Sequence, residues 1–223
     1  ALPYLLVQKP EWELFPGAIN AFEFYTLMPD GKMVETGSVN NLGQAFSRVF
    51  NINFEKADGS HGYAYQTCYG QSERLLASIV AVHGDDHGLV LPTSIAPILV
   101  VIVPILYAGA SEIVADYAKS IERTLKKRRF AVTLDLREET PGEKFHHWER
   151  LGVPIRLEIG PQEVDNRTVT MVRRDTLLKQ IVPLENLAER IRITLKEIDR
   201  NLWRRASLSL KQRVTLASNL TET

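Results

Sequence analysis

The chain has 223 residues, of which 44% are hydrophobic and 24% are charged, and it contains one cysteine, Cys68. This composition is typical of a packed globular protein, and the single cysteine excludes an internal disulfide framework and a multi-thiolate zinc site. The longest apolar run, "IAPILVVIVPIL", is about a dozen residues long and holds two prolines, so it is too short to span a bilayer. We therefore expect a protein of the cytoplasm that has no membrane partner.

The net charge is zero, but the two halves of the chain differ in charge. Residues 1–96 hold 5 Lys and Arg against 10 Asp and Glu, whereas residues 97–206 hold 20 against 16. The basic half is therefore the better candidate for contact with a nucleic acid. The alternative is an ordinary surface with many ion pairs, which has a similar balance of charge.

Residues 1–96 have the pattern of antiparallel strands followed by one helix. "AFEFYTLMPDGKMVETGSV" contains a Pro-Asp-Gly turn between two runs rich in aromatic and β-branched residues, which predicts a hairpin. "YAYQTCYG" alternates as a further strand and leads into "SERLLASIVAVHG", whose apolar residues have helical spacing. Ser72 is a candidate N-cap of this helix, and Gly84 follows its end.

The segment "LPTSIAP" disfavours regular structure, and we place a domain boundary between residues 96 and 97. Beyond it, strands and helices alternate up to a long amphipathic helix from Leu184 to about Trp203, and the polar residues 207–223 form a tail. Alternation of this kind predicts a three-layer α/β unit with a mixed sheet. The cations from Lys126 to Arg129 follow a predicted helix, whose dipole favours them, and we expect sequence-independent phosphate contacts there.

The stretch "HGDDHGLVLP" brings together His83, Asp85, Asp86 and His87, the types of side chain that bind a divalent metal. In a regular strand or helix, however, Asp85 and Asp86 project in different directions, and the sequence has no matching His or Cys cluster. A polar turn between a helix and a strand is the better interpretation. We therefore expect no metal at this stretch.

Five segments in the same order resemble the prolyl-tRNA synthetases, which are class II aminoacyl-tRNA synthetases. They are "GSVNNLGQAF", "QTCYGQSER", "HGDDHGLVLP", "KFHHWERLGVPIRLEIGP" and "VTMVRRDT". The resemblance runs from about Ala1 to Arg205 without a large gap. The spacing between "FPGA" and "GSVNNLGQ" leaves no room for a large insertion. In this respect the sequence resembles the archaeal and eukaryotic subtype of the family.

The resemblance implies an α/β fold in two parts. Residues 1–96 are expected to be the end of a class II catalytic domain with an antiparallel sheet. Residues 97–206 are expected to be a three-layer α/β/α anticodon-binding domain with a mixed sheet. The full-length protein is then expected to be a homodimer that activates proline with ATP and Mg²⁺ and transfers it to tRNA(Pro).

The resemblance also raises the question of what this chain does alone. The sequence opens without a methionine or a signal-like segment, and we expect it to be the interior of a longer polypeptide. Two family motifs would lie upstream of Ala1, so we expect the chain alone to be inactive. The alternatives are a non-catalytic paralogue that keeps the RNA-binding domain, and a fragment without activity of its own.

On the nucleotide side, the family's motif 3 arginine contacts the γ-phosphate of ATP, and Arg74 occupies its position. A guanidinium suits this role because its planar fork meets phosphate oxygens in pairs and keeps its charge. Ser72 matches a family hydroxyl beside the nucleotide. Glu35 aligns with a glutamine near the phosphates, so an amide is replaced by an anion that repels ATP unless a metal or lysine compensates.

On the proline side, the family uses a Gly-Thr-x-His segment, and here Ser38 and Asn40 stand in the places of the threonine and the histidine. Asn40 still donates and accepts hydrogen bonds, but it carries no charge. Cys68 and Tyr69 complete the implied proline site, with Tyr69 standing where the family usually has tryptophan.

Four residues fall at the family's anticodon-contact positions, namely Phe145, Glu149, Arg156 and Glu163, the last of which is usually aspartate. Proline anticodons carry two guanines, whose edges present O6 and N7 acceptors and N–H donors. A site that reads them needs a cation, a carboxylate and an aromatic face. The alternative is that Phe145 belongs to the core and that Glu149 and Arg156 form a surface ion pair.

Overall fold

The computed structural model describes residues 1–106, 111–215 and 217–218, and its chain divides into two compact units. The N-terminal unit comprises Leu2–Val82 with Ser209–Thr223, and the C-terminal unit comprises Ala1 with His83–Leu208. Thr93, in the segment of the expected domain boundary, donates to Asp199 through its backbone N–H at 2.8 Å and through its hydroxyl. The boundary between residues 96 and 97 stays a prediction.

The N-terminal unit is built on a four-stranded antiparallel sheet with the order β1-β2-β3-β6. A separate two-stranded sheet pairs β4 with β5. In chain order, the elements are β1 (Leu5–Gln8), β2 (Asn20–Leu27), β3 (Met33–Gly43), α1 (Ala45–Val49), β4 (Asn53–Glu55), β5 (His61–Tyr63), β6 (Gln66–Gln71) and α2 (Arg74–His83).

The predicted hairpin is confirmed as β2 and β3. Gly31 adopts a φ of 88°, a left-handed conformation that glycine allows without strain, and its N–H donates to the Met28 carbonyl at 3.0 Å. The Asp30 carboxylate accepts the Lys32 N–H at 3.1 Å, which closes the turn from the side-chain side. Local turn chemistry therefore fixes the register of the longest strands in this unit.

The C-terminal unit contains a five-stranded mixed sheet with the order β11-β10-β9-β7-β8. Strand β7 pairs in parallel with β8 and β9, whereas β9, β10 and β11 are antiparallel. In chain order, the elements are β7 (Val100–Pro104), α3 (Ser111–Lys127), β8 (Val132–Leu134), α4 (Pro141–Arg150), β9 (Ile155–Ile159), α5 (Pro161–Asn166), β10 (Thr168–Arg173), β11 (Lys179–Pro183) and α6 (Leu187–Arg213).

Helices cover both faces of this sheet, because alternate strand residues point to opposite sides. Val100 and Ile102 belong to a large core that contains the buried residues of α3 and α6. Val101 and Val103 point to the other side and pack with Trp148 of α4 in a smaller core. The expected three-layer α/β/α arrangement with a mixed sheet is therefore confirmed, as is the antiparallel sheet of the first half.

The last helix differs from its expected bounds. A 3₁₀ turn spans Leu184–Asn186, and α6 continues past Trp203 to Arg213, with Leu202 and Ala206 buried along it. Residues 207–213 of the expected tail are therefore helical, and the assignment of residues 207–223 to a tail stays a prediction. Residues 216 and 219–223 of that expected tail lie outside the described residues.

Candidate functional site

Three of the expected anticodon-contact residues lie together on the α4 side of the C-terminal sheet. Arg156 of β9 is paired in register with Val101 of β7, so both point towards α4. Phe145 and Glu149 are separated by one turn of α4 and share the helix face that meets Arg156. A capping box at Thr140, followed by Pro141, fixes the start of α4.

The Arg156 guanidinium is bound by two carboxylates and lies over an aromatic ring. Its Nη1 donates to Glu149 Oε1 at 2.7 Å, and its Nη2 and Nε donate to Glu158 Oε1 at 2.9 and 3.1 Å. Its central carbon lies 4.2 Å from the centroid of the Phe145 ring. Arg156 is only 8% exposed, so the guanidinium is held in one position by contacts on several sides.

Glu158 was missed in the sequence, although it forms the base of this cluster. It is two residues after Arg156 on β9, which places both side chains on one face of the sheet. Its Oε2 accepts Lys179 Nζ at 2.7 Å, and Lys179 also lies 5.9 Å from the Phe145 ring. The i, i+2 spacing of an arginine and a glutamate in an apolar strand is the signal that predicts this pair.

Glu163 lies on the same side of the sheet but does not contact Arg156. Its Oε2 accepts the Gly160 N–H at 2.9 Å, which caps α5, and its Oε1 accepts the Thr170 hydroxyl at 2.9 Å. Thr170 is the register partner of Glu158, so Glu163 continues the row of polar side chains that begins at Arg156. The structure thus brings together Phe145, Glu149 and Arg156 and leaves Glu163 at the end of that row.

The stretch from His83 to Val90 is joined to this cluster through α4. The Arg174 guanidinium donates to both oxygens of Asp85, at 2.8 and 2.5 Å, and through Nε to the Glu149 carbonyl at 2.9 Å. His87 Nδ1 lies 3.6 Å from Glu149 Oε2. The Arg174 interaction holds the pKa of Asp85 below its ordinary value. Arg174 was also missed in the sequence, where it reads only as the second of two adjacent arginines.

The four side chains that resembled a metal site have different partners. His83 Nε2 lies 2.8 Å from the Ala1 carbonyl, and burial lowers the pKa of this imidazole. Asp85 binds Arg174, His87 faces Glu149, and Asp86 is exposed. Over residues 1–106, 111–215 and 217–218, no group of three or more His, Cys, Asp or Glu side chains is arranged to hold a metal ion. That this stretch binds no metal stays a prediction.

In the N-terminal unit, four of the expected nucleotide-side and proline-side residues share one face of the sheet. Ser38 and Asn40 are two residues apart on β3 and so lie on one face, and Asn40 is paired in register with Cys68 of β6. Glu35 joins them because the pairing of β2 and β3 shifts between Phe24 and Tyr25, which leaves Thr36 without a register partner. Without this bulge, Glu35 would point to the opposite face.

A buried ion pair lies on the same face as Glu35. Lys9 Nζ is 2.5 Å from Glu23 Oε1, and the Tyr25 hydroxyl donates to Glu23 Oε2 at 2.7 Å. Burial raises the pKa of Glu23, but these two hydrogen bonds outweigh it and hold the pKa below its ordinary value. The hydrogen bond to Glu23 raises the pKa of Tyr25 to about 12 and raises that of Lys9, and the charge of Glu35 adds to both shifts.

The other expected residues are placed differently. Tyr69 is paired in register with Val39, so it lies on the opposite face from Cys68, where its hydroxyl is 2.9 Å from that of Thr67. Ser72 lies between β6 and α2, and Arg74 is the first residue of α2. Both are exposed, and the Arg74 N–H donates to the Ser72 hydroxyl at 3.4 Å. Among the described residues, the Arg74 guanidinium has no ion-pair partner within 4 Å, which leaves it available to an anion.

Comparison with known proteins defines the class of the C-terminal unit. Residues 99–194 match the sequence family described as the anticodon binding domain, which covers the five-stranded sheet and α3 to α5. The C-terminal unit thus contains an anticodon binding domain by sequence similarity, and the cluster around Arg156 lies within the matched residues.

Over its whole length, the chain is similar in sequence to proline–tRNA ligases. It is 46% identical to the proline–tRNA ligase of Pyrococcus horikoshii over 222 residues, which is 100% of this chain and 46% of that protein. The proline–tRNA ligase of Methanocaldococcus jannaschii is 45% identical over 98% of the chain and 48% of that protein. A Saccharolobus islandicus proline–tRNA ligase is 45% identical over 99% of the chain and 46% of that protein. These identities confirm the resemblance to prolyl-tRNA synthetases for this part of the sequence. The chain spans about half the length of these relatives.

Proposed function

We propose that this chain is the C-terminal part of an ATP-dependent proline–tRNA ligase and that its C-terminal unit binds the anticodon of tRNA(Pro). The observation that carries the proposal is the convergence of Phe145, Glu149 and Arg156 on one face of an anticodon binding domain. The homology to proline–tRNA ligases over the whole chain supports the choice of amino acid and tRNA. Among the described residues, no helix is long and apolar enough to cross a membrane.

The hydrogen bonds of Arg156 leave it suited to guanine. A guanidinium has five N–H groups, and the Glu149 and Glu158 contacts use one each on Nε, Nη1 and Nη2. One N–H therefore remains on each terminal nitrogen, and these two donors are the ones proposed to meet O6 and N7 of guanine. Glu149 Oε2 is a candidate acceptor for the N1–H and N2–H groups of the same base. The cleft beside Arg156 has only about 10 Å³ of free space, so the base lies over the cluster and not inside it.

In the proposed reaction, the full-length protein is a cytoplasmic homodimer that binds proline, ATP and Mg²⁺. In this proposal, Arg74 binds the γ-phosphate of ATP with Ser72 and Glu35 nearby, and Ser38, Asn40, Cys68 and Tyr69 lie around proline. The shared face of Glu35, Ser38, Asn40 and Cys68 supports this assignment, whereas the position of Tyr69 on the opposite face does not.

The anticodon proposal is tested with two transcripts, tRNA(Pro) and the same tRNA with both anticodon guanines replaced by adenine. The key variant is Arg156→Lys, because lysine keeps the charge between Glu149 and Glu158 but loses the two-pronged donor. The matched control is Arg137→Lys, in which the changed arginine is also paired to a carboxylate, that of Asp135, and lies 5.9 Å from the Trp148 ring.

Filter binding should show that the wild-type chain prefers tRNA(Pro). Since a two-pronged base contact contributes about 1–3 kcal/mol of discrimination, Arg156→Lys should weaken tRNA(Pro) binding by roughly ten- to a hundredfold and leave the other transcript unchanged. Arg137→Lys should keep the wild-type preference. Equal affinity of the wild-type chain for both transcripts would contradict the proposed function.

A second candidate function, a non-catalytic paralogue that binds RNA, is favoured by one observation. Glu35 places a carboxylate on the same face as Ser38 and Asn40, and the nearby Lys9 is already paired with Glu23. An uncompensated anion there repels the phosphates of ATP. Proline-dependent pyrophosphate exchange by the full-length protein distinguishes the two functions, because the paralogue has none. Restoration of exchange by Glu35→Gln would identify Glu35 as the cause.

A further inference from the structure

The outer face of α6 carries a row of cations that the anticodon cluster does not use. Arg192, Lys196, Arg200 and Arg204 follow one another at intervals of four residues, and all four are exposed. Residues four apart lie on the same side of a helix, so this row extends for about 18 Å at a rise of about 1.5 Å per residue. The buried residues of α6, such as Ile191, occupy the opposite side.

Most of this charge is not neutralised by the protein. Within the part of the chain that the structure describes, Lys196, Arg200 and Arg204 have no carboxylate within 4 Å. Two acids lie near this row: Glu197 is already bound by Arg173 at 2.8 Å and lies 3.6 Å from Arg190, and Glu189 lies 3.8 Å from Arg192. The three cations are thus solvated charges held on a helix that the main core anchors from Leu187 to Leu202.

The row opens into a groove whose walls carry further cationic and polar groups. The groove has a volume of about 390 Å³, and its lining residues are Arg173, Thr176, Glu197, Arg200, Asn201 and Arg204. The two exposed guanidiniums therefore line a concave surface, which suits a bound anion better than a flat surface does. Arg173 also lines the small cleft beside Arg156, so the groove adjoins the anticodon cluster around the end of β10.

We propose that the face of α6 formed by Lys196, Arg200 and Arg204 binds the sugar–phosphate backbone of the same tRNA whose anticodon contacts Arg156. The inference rests on the proposed function for the identity of the RNA. Guanidinium and ammonium groups bind phosphate oxygens without regard to sequence, so this face contributes affinity and orientation while Arg156 contributes discrimination. Trp203, which is 51% exposed on the same side of the helix, offers an aromatic surface to an unpaired base.

The cation cluster after α3 is the competing surface for phosphate contact. Lys126 is already paired with Glu122 at 2.8 Å, and the Arg123 Nε donates to the Lys119 carbonyl at 3.3 Å. Among the described residues, Lys127, Arg128 and Arg129 also have no carboxylate within 4 Å, so the number of unpaired cations does not separate the two surfaces. We assign the phosphate contacts to α6 because its groove of about 390 Å³ is larger than the groove of about 150 Å³ beside Arg128 and adjoins the anticodon cluster.

The test compares two triple variants with the same change in net charge. The first is Lys196→Gln/Arg200→Gln/Arg204→Gln on α6, and the second is Arg123→Gln/Lys126→Gln/Lys127→Gln on α3. All six side chains belong to exposed or half-buried surface residues, and the circular dichroism spectrum and melting temperature of each variant confirm that it is folded. Binding of tRNA(Pro) and of the guanine-replaced transcript is measured over a range of salt concentrations.

The readout is the slope of the logarithm of affinity against the logarithm of salt concentration. Each phosphate contact contributes about 0.7–0.9 to this slope, so the α6 variant should lose roughly 2–3 units for both transcripts. Its affinity relative to wild type should therefore recover by roughly thirtyfold between about 50 and about 200 mM salt. The α3 variant should keep the wild-type slope.

An unchanged slope in the α6 variant would overturn the inference, and so would an equal fall in both variants. Loss of binding to phosphatidylserine vesicles in the α6 variant, without any change in its tRNA slope, would also overturn it and would assign the face to a membrane surface. Failure of the proposed function is seen separately, as equal affinity of the wild-type chain for the two transcripts. A slope that falls only in the α6 variant supports the phosphate assignment even then.

Discussion

Substitution of Gly152 by alanine should destabilise the C-terminal unit strongly, because two independent costs meet at this residue. Gly152 has a φ of 72°, and a Cβ built there would lie 2.7 Å from the Leu89 Cβ and 2.8 Å from the Leu89 carbonyl oxygen. Left-handed backbone costs an alanine about 1–2 kcal/mol, and insertion of a methyl group against packed backbone costs about 1–3 kcal/mol. The expected loss in the free energy of unfolding is therefore about 2–5 kcal/mol.

The matched control is Gly142→Ala in the first turn of α4, where an added Cβ would have no neighbour within 4 Å and φ is not left-handed. Alanine should be neutral there or stabilise the helix by up to about 1 kcal/mol, because it restricts the unfolded chain. Urea unfolding of both variants and the wild-type chain measures the two effects. A Gly152→Ala variant within about 0.5 kcal/mol of wild type, the usual range for surface substitutions, would refute the close packing of Leu89 on this turn.

Two further predictions concern acid stability and metal content. Burial raises the pKa of Asp135, but hydrogen bonds from Arg137 and Trp148 outweigh this effect and lower the pKa to about 2. Asp135 should therefore contribute about 2–3 kcal/mol to the free energy of unfolding above about pH 4, and this contribution is lost as the pH falls towards 2. Urea unfolding between pH 7 and pH 2 should show a smaller decrease in Asp135→Asn than in wild type, and parallel curves would disprove this role. Elemental analysis of the purified chain should find no stoichiometric zinc; zinc that is present and is lost in His83→Ala would show that the polar stretch is a metal site.

Elements with strong periodicity could be predicted from the sequence. The Pro29-Asp30-Gly31 turn between β-rich runs predicted the hairpin of β2 and β3, and the stripe containing Val114, Ala118, Ile121 and Leu125 predicted α3. In these segments, the residues that drive packing recur at the period of the element itself. Local sequence and tertiary structure therefore favour the same result.

Other elements depend on contacts that are distant in the chain. Strand β11 includes Lys179 and Gln180 and is mostly exposed, and its extended form comes from pairing with β10. Helix α5 has only six residues, and Glu163 accepts the Gly160 N–H at its start. The sequence alone suggested Glu163 as a base contact and did not reveal this capping role. The end of α6 contains serines that have the composition of a loop, although Ala206 is buried on the apolar side of the helix.

The candidate site was predicted in the same uneven way. The i, i+4 spacing placed Phe145 and Glu149 on one face of α4, and the family resemblance supplied Arg156. The i, i+2 spacing places Glu158 on the same face as this arginine, but nothing local in the sequence indicated that Arg174 would join Asp85 to the Glu149 carbonyl. These partners meet only when β9, β10 and α4 are packed, so residue spacing along one element does not reveal them.

The unpaired residue Thr36 in β3 has a consequence for how relatives and designs are compared. Since Thr36 is buried and its hydroxyl donates to the Phe24 carbonyl at 3.0 Å, the irregularity is anchored and not a local defect. Deletion of Thr36 would leave Glu35 two residues from Ser38 in a regular strand, so both would stay on one face of the sheet. Insertion of one residue into β2 opposite Thr36 would instead remove the bulge and turn Glu35 to the other face. Transplanting the residues from Glu35 to Asn40 into a regular hairpin would therefore move Glu35 to the face opposite Ser38, unless the partner strand also leaves Thr36 unpaired. A gap at Thr36 in an aligned relative, in contrast, would keep Glu35 and Ser38 on one face.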